Sequence, residues 1–136
     1  MRKRTRAREL ALQMLYQLDV RGDDAIARLD DFLAREAPGE DDVHTFARLL
    51  VDGTIERRDE IDEIVSEAAQ NWHLRRMALV DRNILRMAVY EMLFVDDIPA
   101  KVSINEAIEM GKRYSTQQSG SFINGILDRI RREKAL

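Results

Sequence analysis

Residues 77–99, MALVDRNILRMAVYEMLFVDDIP, give the clearest indication of the fold. Apolar side chains recur in this stretch every three or four residues, at the spacing of one helix face, and they do not alternate as in a β-strand. The apolar stripe consists of Val80, Ile84, Leu85, Ala88 and Met92. The pattern predicts a helix from about Met77 to Val95, which is ended by the polar residues and proline of DDIP at 96–99.

The same helical spacing runs through nearly all of the remaining sequence. The connections between the apolar stretches are short, which favours antiparallel neighbours. Further helices are predicted at about residues 5–20, 24–36, 40–57, 58–71 and 103–113, and from residue 119 or 121 to about 130. The sequence therefore predicts an all-α fold of about seven helices, with either one core or two small lobes.

Polar residues mark the starts of the last two predicted helices. Ser103 and Glu106 have the spacing of a capping box, in which each side chain bonds a backbone N–H of the other residue. Ser119 or Ser121 is expected to cap the seventh helix.

Trp72 and Asp81 lie near the junction of the fourth and fifth predicted helices. Trp72 is expected to plug that junction. Asp81 falls on the inner arc of a helix that begins near Met77, or it caps a helix that begins at Asp81 itself. A third alternative is that Asp81 pairs with a basic residue of a partner protein. The sequence leaves these three roles open.

The composition excludes several classes of protein and site. Of the 136 residues, 45% are hydrophobic, 35% are charged and only two are proline, as in a soluble, helix-rich protein. The absence of cysteine excludes disulfides, thiolate zinc sites and cysteine catalysis, and it fits a cytoplasmic location. No apolar run is long enough to span a bilayer, so no membrane association is expected.

Charge is unevenly distributed along a chain whose formal net charge is −3. Residues 1–18 contain five bases and one acid, residues 19–67 contain six bases and sixteen acids, and residues 68–136 contain eleven bases and eight acids. A polyanion responds to a local basic patch, while acidic segments restrain non-specific binding. The net charge alone therefore does not argue against a nucleic-acid partner.

The first eight residues, MRKRTRAR, contain five of those bases. If the first helix extended back to residue 3, a projection of about 100° per residue would place Lys3 and Arg4 in the apolar sector, where unpaired charges are costly. The helix is therefore expected to begin near Thr5, with residues 1–4 as a mobile basic arm. Arg6, Glu9, Gln13 and Tyr16 are expected on the solvent-facing side.

Basic residues beside an exposed aromatic side chain suit single-stranded RNA. Lys and Arg contact phosphates, and Tyr16 offers a ring face to an unstacked base. Nothing in the sequence resembles a recognition helix for the major groove of DNA. The alternative is an ordinary solvated tail, since basic N-termini are common.

Candidate catalytic and metal-binding groups are isolated or better explained as surface residues. His44 and His73 lie on different predicted elements, and Glu60, Glu63 and Glu67 form an acidic helix face without a histidine. Ser119-Gly120-Ser121 lacks the strand–turn–helix context of a nucleophile elbow. We expect no catalytic site, metal or cofactor.

Four segments resemble the NusB family of bacterial transcription antitermination factors. They are TRARELALQMLYQLD (5–19), VDRNILRMAVYEM (80–92), IPAKVSINEAIEMGKRYS (98–115) and SFINGILDRI (121–130). The resemblance implies one NusB-like RNA-binding domain over residues 1–136, with two small packed helical bundles: an N-terminal lobe at about 5–71 and a C-terminal lobe at about 72–136. It also implies a non-enzymatic factor that binds boxA RNA of nascent rRNA transcripts, with the ribosomal protein NusE and the transcription elongation complex as partners.

The resemblance further implies where RNA binds. In the N-terminal part it points to Arg2, Lys3, Arg4, Arg6, Arg8 and Tyr16, and Gln13 lies on the same predicted face as Arg6 and Tyr16. In the loop before the last helix it points to Gln117, Gln118 and Ser119, with Phe122 just inside and with Lys112 and Arg113 beside the loop.

Two further implications concern partners. Family members often have an acid at the position of Gln118, and the neutral residue either strengthens RNA binding or has no effect. Asp81 matches an acidic position at the NusE contact. Some members self-associate through the RNA surface, so a homodimer is left open.

Two alternative functions are compatible with the sequence. NusB-like domains also precede the catalytic domain of certain rRNA cytosine methyltransferases, and this chain could be such a domain detached from its enzyme. The other alternative is a pure protein-interaction module in which the basic N-terminus has no role.

Overall fold

The computed structural model describes residues 2–70 and 72–136, and these form seven α-helices. The helices are α1 (Lys3–Arg21), α2 (Leu29–Glu36), α3 (Asp41–Glu56), α4 (Arg58–Ala69), α5 (Leu79–Phe94), α6 (Ala100–Tyr114) and α7 (Ser119–Glu133). Two short 3₁₀ helices, Asp23–Arg28 and Leu74–Arg76, lie between them. The expectation of an all-α fold with about seven helices is confirmed.

The chain divides into two compact units, Met1–Gly53 and Thr54–Leu136. The boundary lies earlier than residue 71, where the lobes were expected to separate. The reason is that α4 packs against α5 and α7, so it belongs with the helices that follow it.

In the first unit, α1 packs against the 3₁₀ helix Asp23–Arg28 and against α2. The predicted apolar stripe of α1 is buried, as are the inward residues of α2. His44 Nε2 lies 2.6 Å from the carbonyl oxygen of Ala37 and links the start of α3 to the end of α2. His44 therefore has a structural role in the first unit.

The first helix begins at Lys3, so the prediction of a mobile arm over residues 1–4 is wrong for residues 3 and 4. Lys3 and Arg4 do lie on α1, but both side chains remain exposed. Both charges are held at the surface and are not buried. Lys3 pairs with Asp42 there, and Arg4 lies over the ring of Phe46.

The second unit is a bundle of α4, α5, α6 and α7, and α5 contacts each of the other three. α6 and α7 approach closely at Gly111, where an added Cβ atom would lie 2.7 Å from Ile123 Cδ1. The close approach explains why a residue without a side chain occupies this position.

The predicted caps in this unit are wrong. α6 begins at Ala100 with Pro99 as its N-cap, so Ser103 lies inside the helix, where its hydroxyl donates to Glu91 Oε1 over 3.0 Å. Gln118 precedes α7 without a side-chain cap, and Ser119 is the first helical residue. Inside the helix, the Ser103 hydroxyl supplies a hydrogen bond to the Glu91 carboxylate, whose burial would otherwise be costly.

In the part of the chain that the structure describes, no helix is long and apolar enough to cross a membrane.

Candidate nucleic-acid interface

The N-terminal basic cluster consists of Arg2, Lys3, Arg4 and Arg6. Arg2 is the N-cap of α1, and its carbonyl oxygen accepts the backbone N–H of Arg6 over 3.0 Å. Arg2, Lys3 and Arg4 are exposed, and Arg6 is half-buried. Four cationic side chains therefore project from the first turn of one helix.

The contacts of this cluster within the first unit are weak. Lys3 Nζ lies 3.1 Å from Asp42 Oδ2, but both side chains are more than two-thirds exposed, so water screens the pair. The Arg4 guanidinium lies 4.7 Å from the centroid of the Phe46 ring. Arg6 Nη2 donates to the carbonyl oxygen of Glu36 over 3.3 Å. These contacts orient the cluster while leaving its positive charge accessible to a polyanion.

Arg8 differs from the other basic residues near the N-terminus. Its side chain is only 3% exposed, and its guanidinium lies 5.4 Å from the Phe46 ring centroid. The structure therefore places Arg8 among the groups that pack α1. Glu9, which was expected at the surface, is also buried, because a projection of α1 alone cannot show which sectors other elements cover.

Gln13 and Tyr16 are exposed on α1, as the sequence predicted. At about 100° per residue, Arg2, Arg6, Gln13 and Tyr16 fall within roughly 80° of one another around the helix. The first unit therefore presents cations, an amide and an aromatic ring on one helix face, which are the groups that bind phosphates and unstacked bases.

In the second unit, the connection between α6 and α7 carries a group of exposed polar residues. Gln117 and Gln118 are exposed in the loop, and Lys112 and Arg113 are exposed in the last turn of α6. Lys112 packs its aliphatic stem over Gly120, where an added Cβ would lie 3.1 Å from Lys112 Cε. The stem is thereby held, and the ammonium group remains outside.

Ser119 and Asp81 hold this loop to α5. The Ser119 hydroxyl donates to Asp81 Oδ2 over 3.1 Å, accepts the backbone N–H of Thr116 over 3.2 Å and lies 3.0 Å from Ser115 Oγ. Asp81 is the third residue of α5, so the alternative in which it caps the helix is wrong, since Ala78 is the N-cap. Both side chains are almost fully buried, and their hydrogen bond positions the loop.

A cavity of about 270 Å³ lies beside this loop. Its lining includes four residues that were expected at binding sites, namely Asp81, Gln118, Ser119 and Phe122. The other lining residues are Trp72, Arg76, Met77, Ala78 and Thr116. Lys112, Arg113 and Gln117 are not part of the lining.

Trp72 does not plug a helix junction, contrary to the prediction. Its side chain is 51% exposed, and its ring meets that of Phe122 edge-on, with 5.8 Å between centroids. The pairing with Phe122 of α7 holds the indole at the rim of the cavity instead of beneath a helix end. A large aromatic group therefore borders the cavity and is open to a ligand.

The sequence model of the NusB family matches residues 5–132 of this chain. The chain belongs to the NusB family. The match includes the whole loop between α6 and α7, and of the N-terminal basic cluster it includes Arg6 but not the three earlier residues. It confirms the resemblance on which the expected RNA contacts were based.

Individual NusB proteins are similar along almost the whole chain. The transcription antitermination protein NusB of Anaeromyxobacter dehalogenans is 50% identical over 131 residues, which cover 94% of this chain and 89% of the relative. NusB of T. maritima is 42% identical and superposes with a TM-score of 0.87, covering 96% of this chain and 91% of that one. In a crystal structure of the antitermination factors NusB and NusE with double-stranded RNA, the matching chain is 28% identical with a TM-score of 0.88, and 98% of each chain is covered.

Sequence reasoning missed Trp72, Arg76 and Thr116 as members of the cavity in this NusB-family chain. The available signal was the run WHLRR at residues 72–76, which combines the only tryptophan of the chain with three basic or titratable side chains. A tryptophan between two helices is more often part of a core, so this run alone does not point to a cavity.

Proposed function

We propose that this chain is a non-catalytic transcription antitermination factor that binds single-stranded boxA RNA of nascent rRNA transcripts together with NusE. The observation that carries the proposal is the family match over residues 5–132, in a chain whose N-terminal basic cluster is exposed. Its relatives are named transcription antitermination proteins, which favours this function over a detached methyltransferase domain. The same factor would act in the cytoplasm, within the elongation complex.

Two surfaces would contact the RNA. On the first unit, Arg2, Lys3, Arg4 and Arg6 would bind phosphates, with Gln13 and Tyr16 meeting sugars or bases. On the second unit, Gln117, Gln118 and Phe122 would meet the strand, with Lys112 and Arg113 adding charge. Arg8 and Ser119 would contribute by holding α1 and the loop in place, because both are buried.

We propose that Asp81 positions the loop through one carboxylate oxygen and leaves the other for a group of a binding partner. Its side chain is buried, and one of its oxygens is bonded to Ser119. A pure protein-interaction module would not require the exposed cations of α1. The two lobes of the NusB-like chain are proposed to act as one binding domain.

The test measures binding of boxA RNA and of a scrambled strand, each with and without NusE, over a range of salt concentrations. The variant Arg2→Ala/Lys3→Ala/Arg6→Ala removes three exposed or half-buried cations. Each lost phosphate contact lowers the slope of log K against log salt by about 0.7 for a single strand, so the slope should fall by about 2. Affinity should fall while the helical content is retained.

The matched control is Arg21→Ala/Arg28→Ala/Arg35→Ala, which removes three exposed cations from the same unit outside the proposed surface. Equal losses of RNA affinity in both triple variants would mean that binding depends only on the net charge. Tight NusE binding without any effect of RNA would favour the protein-interaction module. A boxA duplex tested in parallel shows whether the protein requires an unpaired strand.

A further inference from the structure

The segment from Trp72 to Arg76 places an exposed aromatic ring directly beside a basic cavity. The 3₁₀ helix Leu74–Arg76 follows Trp72, and a second cavity of about 540 Å³ is lined by Ser66, His73, Leu74, Arg75 and Arg76. His73, Arg75 and Arg76 are all exposed. Among the described residues that line this second cavity none is acidic, so its charge suits an anion.

The two cavities adjoin, because Arg76 lines both of them. Arg82 Nη1 donates to the carbonyl oxygen of Leu74 over 3.2 Å and thereby ties the 3₁₀ helix to α5. The 3₁₀ helix that carries Arg75 and Arg76 is thus tied to α5, which packs against the helix α7 that carries Phe122. An aromatic platform next to a basic groove is the arrangement that binds an unstacked nucleotide.

The first cavity also has a polarity that would orient such a nucleotide. Asp81 is 8% exposed, and its Oδ1 atom is buried without a hydrogen-bond donor among the residues that the structure describes. A carboxylate disfavours a phosphate on that side, whereas an N–H group on a base edge would satisfy the acceptor. The phosphate would then lie towards Arg75 and Arg76.

We propose that residues 72–76, with Phe122 and Asp81, form a subsite for one nucleotide of single-stranded RNA. The base packs against Trp72 and Phe122 with its amino or imino edge towards Asp81, and its phosphate pairs with Arg75 and Arg76. The subsite deepens the proposed RNA-binding function and rests on it. It extends the RNA surface of the second unit beyond the loop between α6 and α7.

The sole tryptophan allows a direct test. The full chain, with and without NusE, is titrated with a boxA strand labelled at its end, and RNA binding is followed by anisotropy while Trp72 emission is recorded separately. We expect quenching of Trp72 with the same midpoint as the anisotropy change. Arg75→Gln/Arg76→Gln should lower the salt slope by about 1.4, at 0.7 per phosphate contact, and Trp72→Ala should weaken binding about fivefold or more.

The control Lys101→Gln/Lys134→Gln removes two exposed charges from the same unit at sites outside both cavities. Unchanged Trp72 emission on RNA binding, or equal slopes in the two double variants, overturns the subsite while leaving RNA binding by the chain intact. Quenching by NusE alone would identify the surface as a protein contact and would also overturn it. No RNA binding by the unmodified chain, with or without NusE, would remove the proposed function and the subsite together.

Discussion

Asp62 of α4 and Arg86 of α5 form a two-point ion pair in the second unit. Arg86 Nε lies 2.7 Å from Asp62 Oδ1, and its Nη2 lies 2.9 Å from Oδ2. The Arg86 side chain is only 11% exposed and that of Asp62 29%, so water screens the pair poorly. Asp62→Asn removes the negative charge and one acceptor, and it should lower the free energy of unfolding by about 1–3 kcal/mol.

Chemical denaturation measures this loss, and Glu60→Gln is the matched control. Glu60 also lies on α4 and pairs with Arg57 at 3.4 Å, but about half of each side chain is exposed. Its neutralisation should change the stability by no more than about 0.5 kcal/mol. Similar losses in both variants would show that partial burial adds nothing to the pair between α4 and α5.

At the same scale, the sequence predicted the exposed cations, Gln13 and Tyr16, but it did not show that α1 begins at Lys3 or that Arg8 is buried. The helical projection uses only the angles within α1. Asp42 and Phe46, which hold Lys3 and Arg4 at the surface, lie about 40 residues later in the chain. Contacts of this kind arise from tertiary packing, and no local pattern in residues 1–20 contains them.

At the scale of elements, the crossing of α6 and α7 depends on Gly111. Ile123 is fully buried, so its Cδ1 atom cannot move away from an added Cβ without displacing its neighbours. Overpacking of this kind costs about 1–3 kcal/mol, whereas the gain in helix propensity from Gly to Ala is at most about 1 kcal/mol. Gly111→Ala should therefore lower the thermal midpoint, as followed by circular dichroism.

Gly125→Ala supplies the control for that substitution. Gly125 lies within α7, is exposed, and an added Cβ would meet nothing within 4 Å. The substitution should raise stability by about 0.5–1 kcal/mol through helix propensity alone. A stabilising effect at both glycines would mean that the α6–α7 contact can relax to accept a methyl group.

The presence of the helices was predictable from the sequence, whereas the type of helix in some segments was not. The helix expected at 77–95 is observed as Leu79–Phe94, but the one expected at 24–36 divides into the 3₁₀ helix Asp23–Arg28 and α2. The two helix types place apolar residues at nearly the same spacing, so periodicity cannot separate them. The cavity beside Trp72 was also missed, since it is built from α5, α7 and both of their preceding connections.

At the scale of the whole molecule, acidic residues 19–67 accompany a basic N-terminus, and this polarity should limit non-specific RNA binding. Asp59, Glu63 and Glu67 are exposed and four residues apart on α4, so they form one acidic stripe. Asp59→Asn/Glu63→Gln/Glu67→Gln removes three negative charges from it. At low salt, the variant should bind scrambled RNA more tightly, and its preference for boxA over scrambled RNA should narrow.

The same measurement at higher salt separates a field effect from a new contact. The Debye length falls from about 30 Å at 0.01 M to about 10 Å at 0.1 M salt, so a long-range repulsion should nearly disappear over this range. Parent and variant should then converge in their affinity for scrambled RNA. An advantage of the variant that persists at 0.15 M salt would mean that the acidic side chains of α4 themselves touch the strand. In that case the acids would be part of the interface, and the division into an acidic and a basic surface would have to be abandoned.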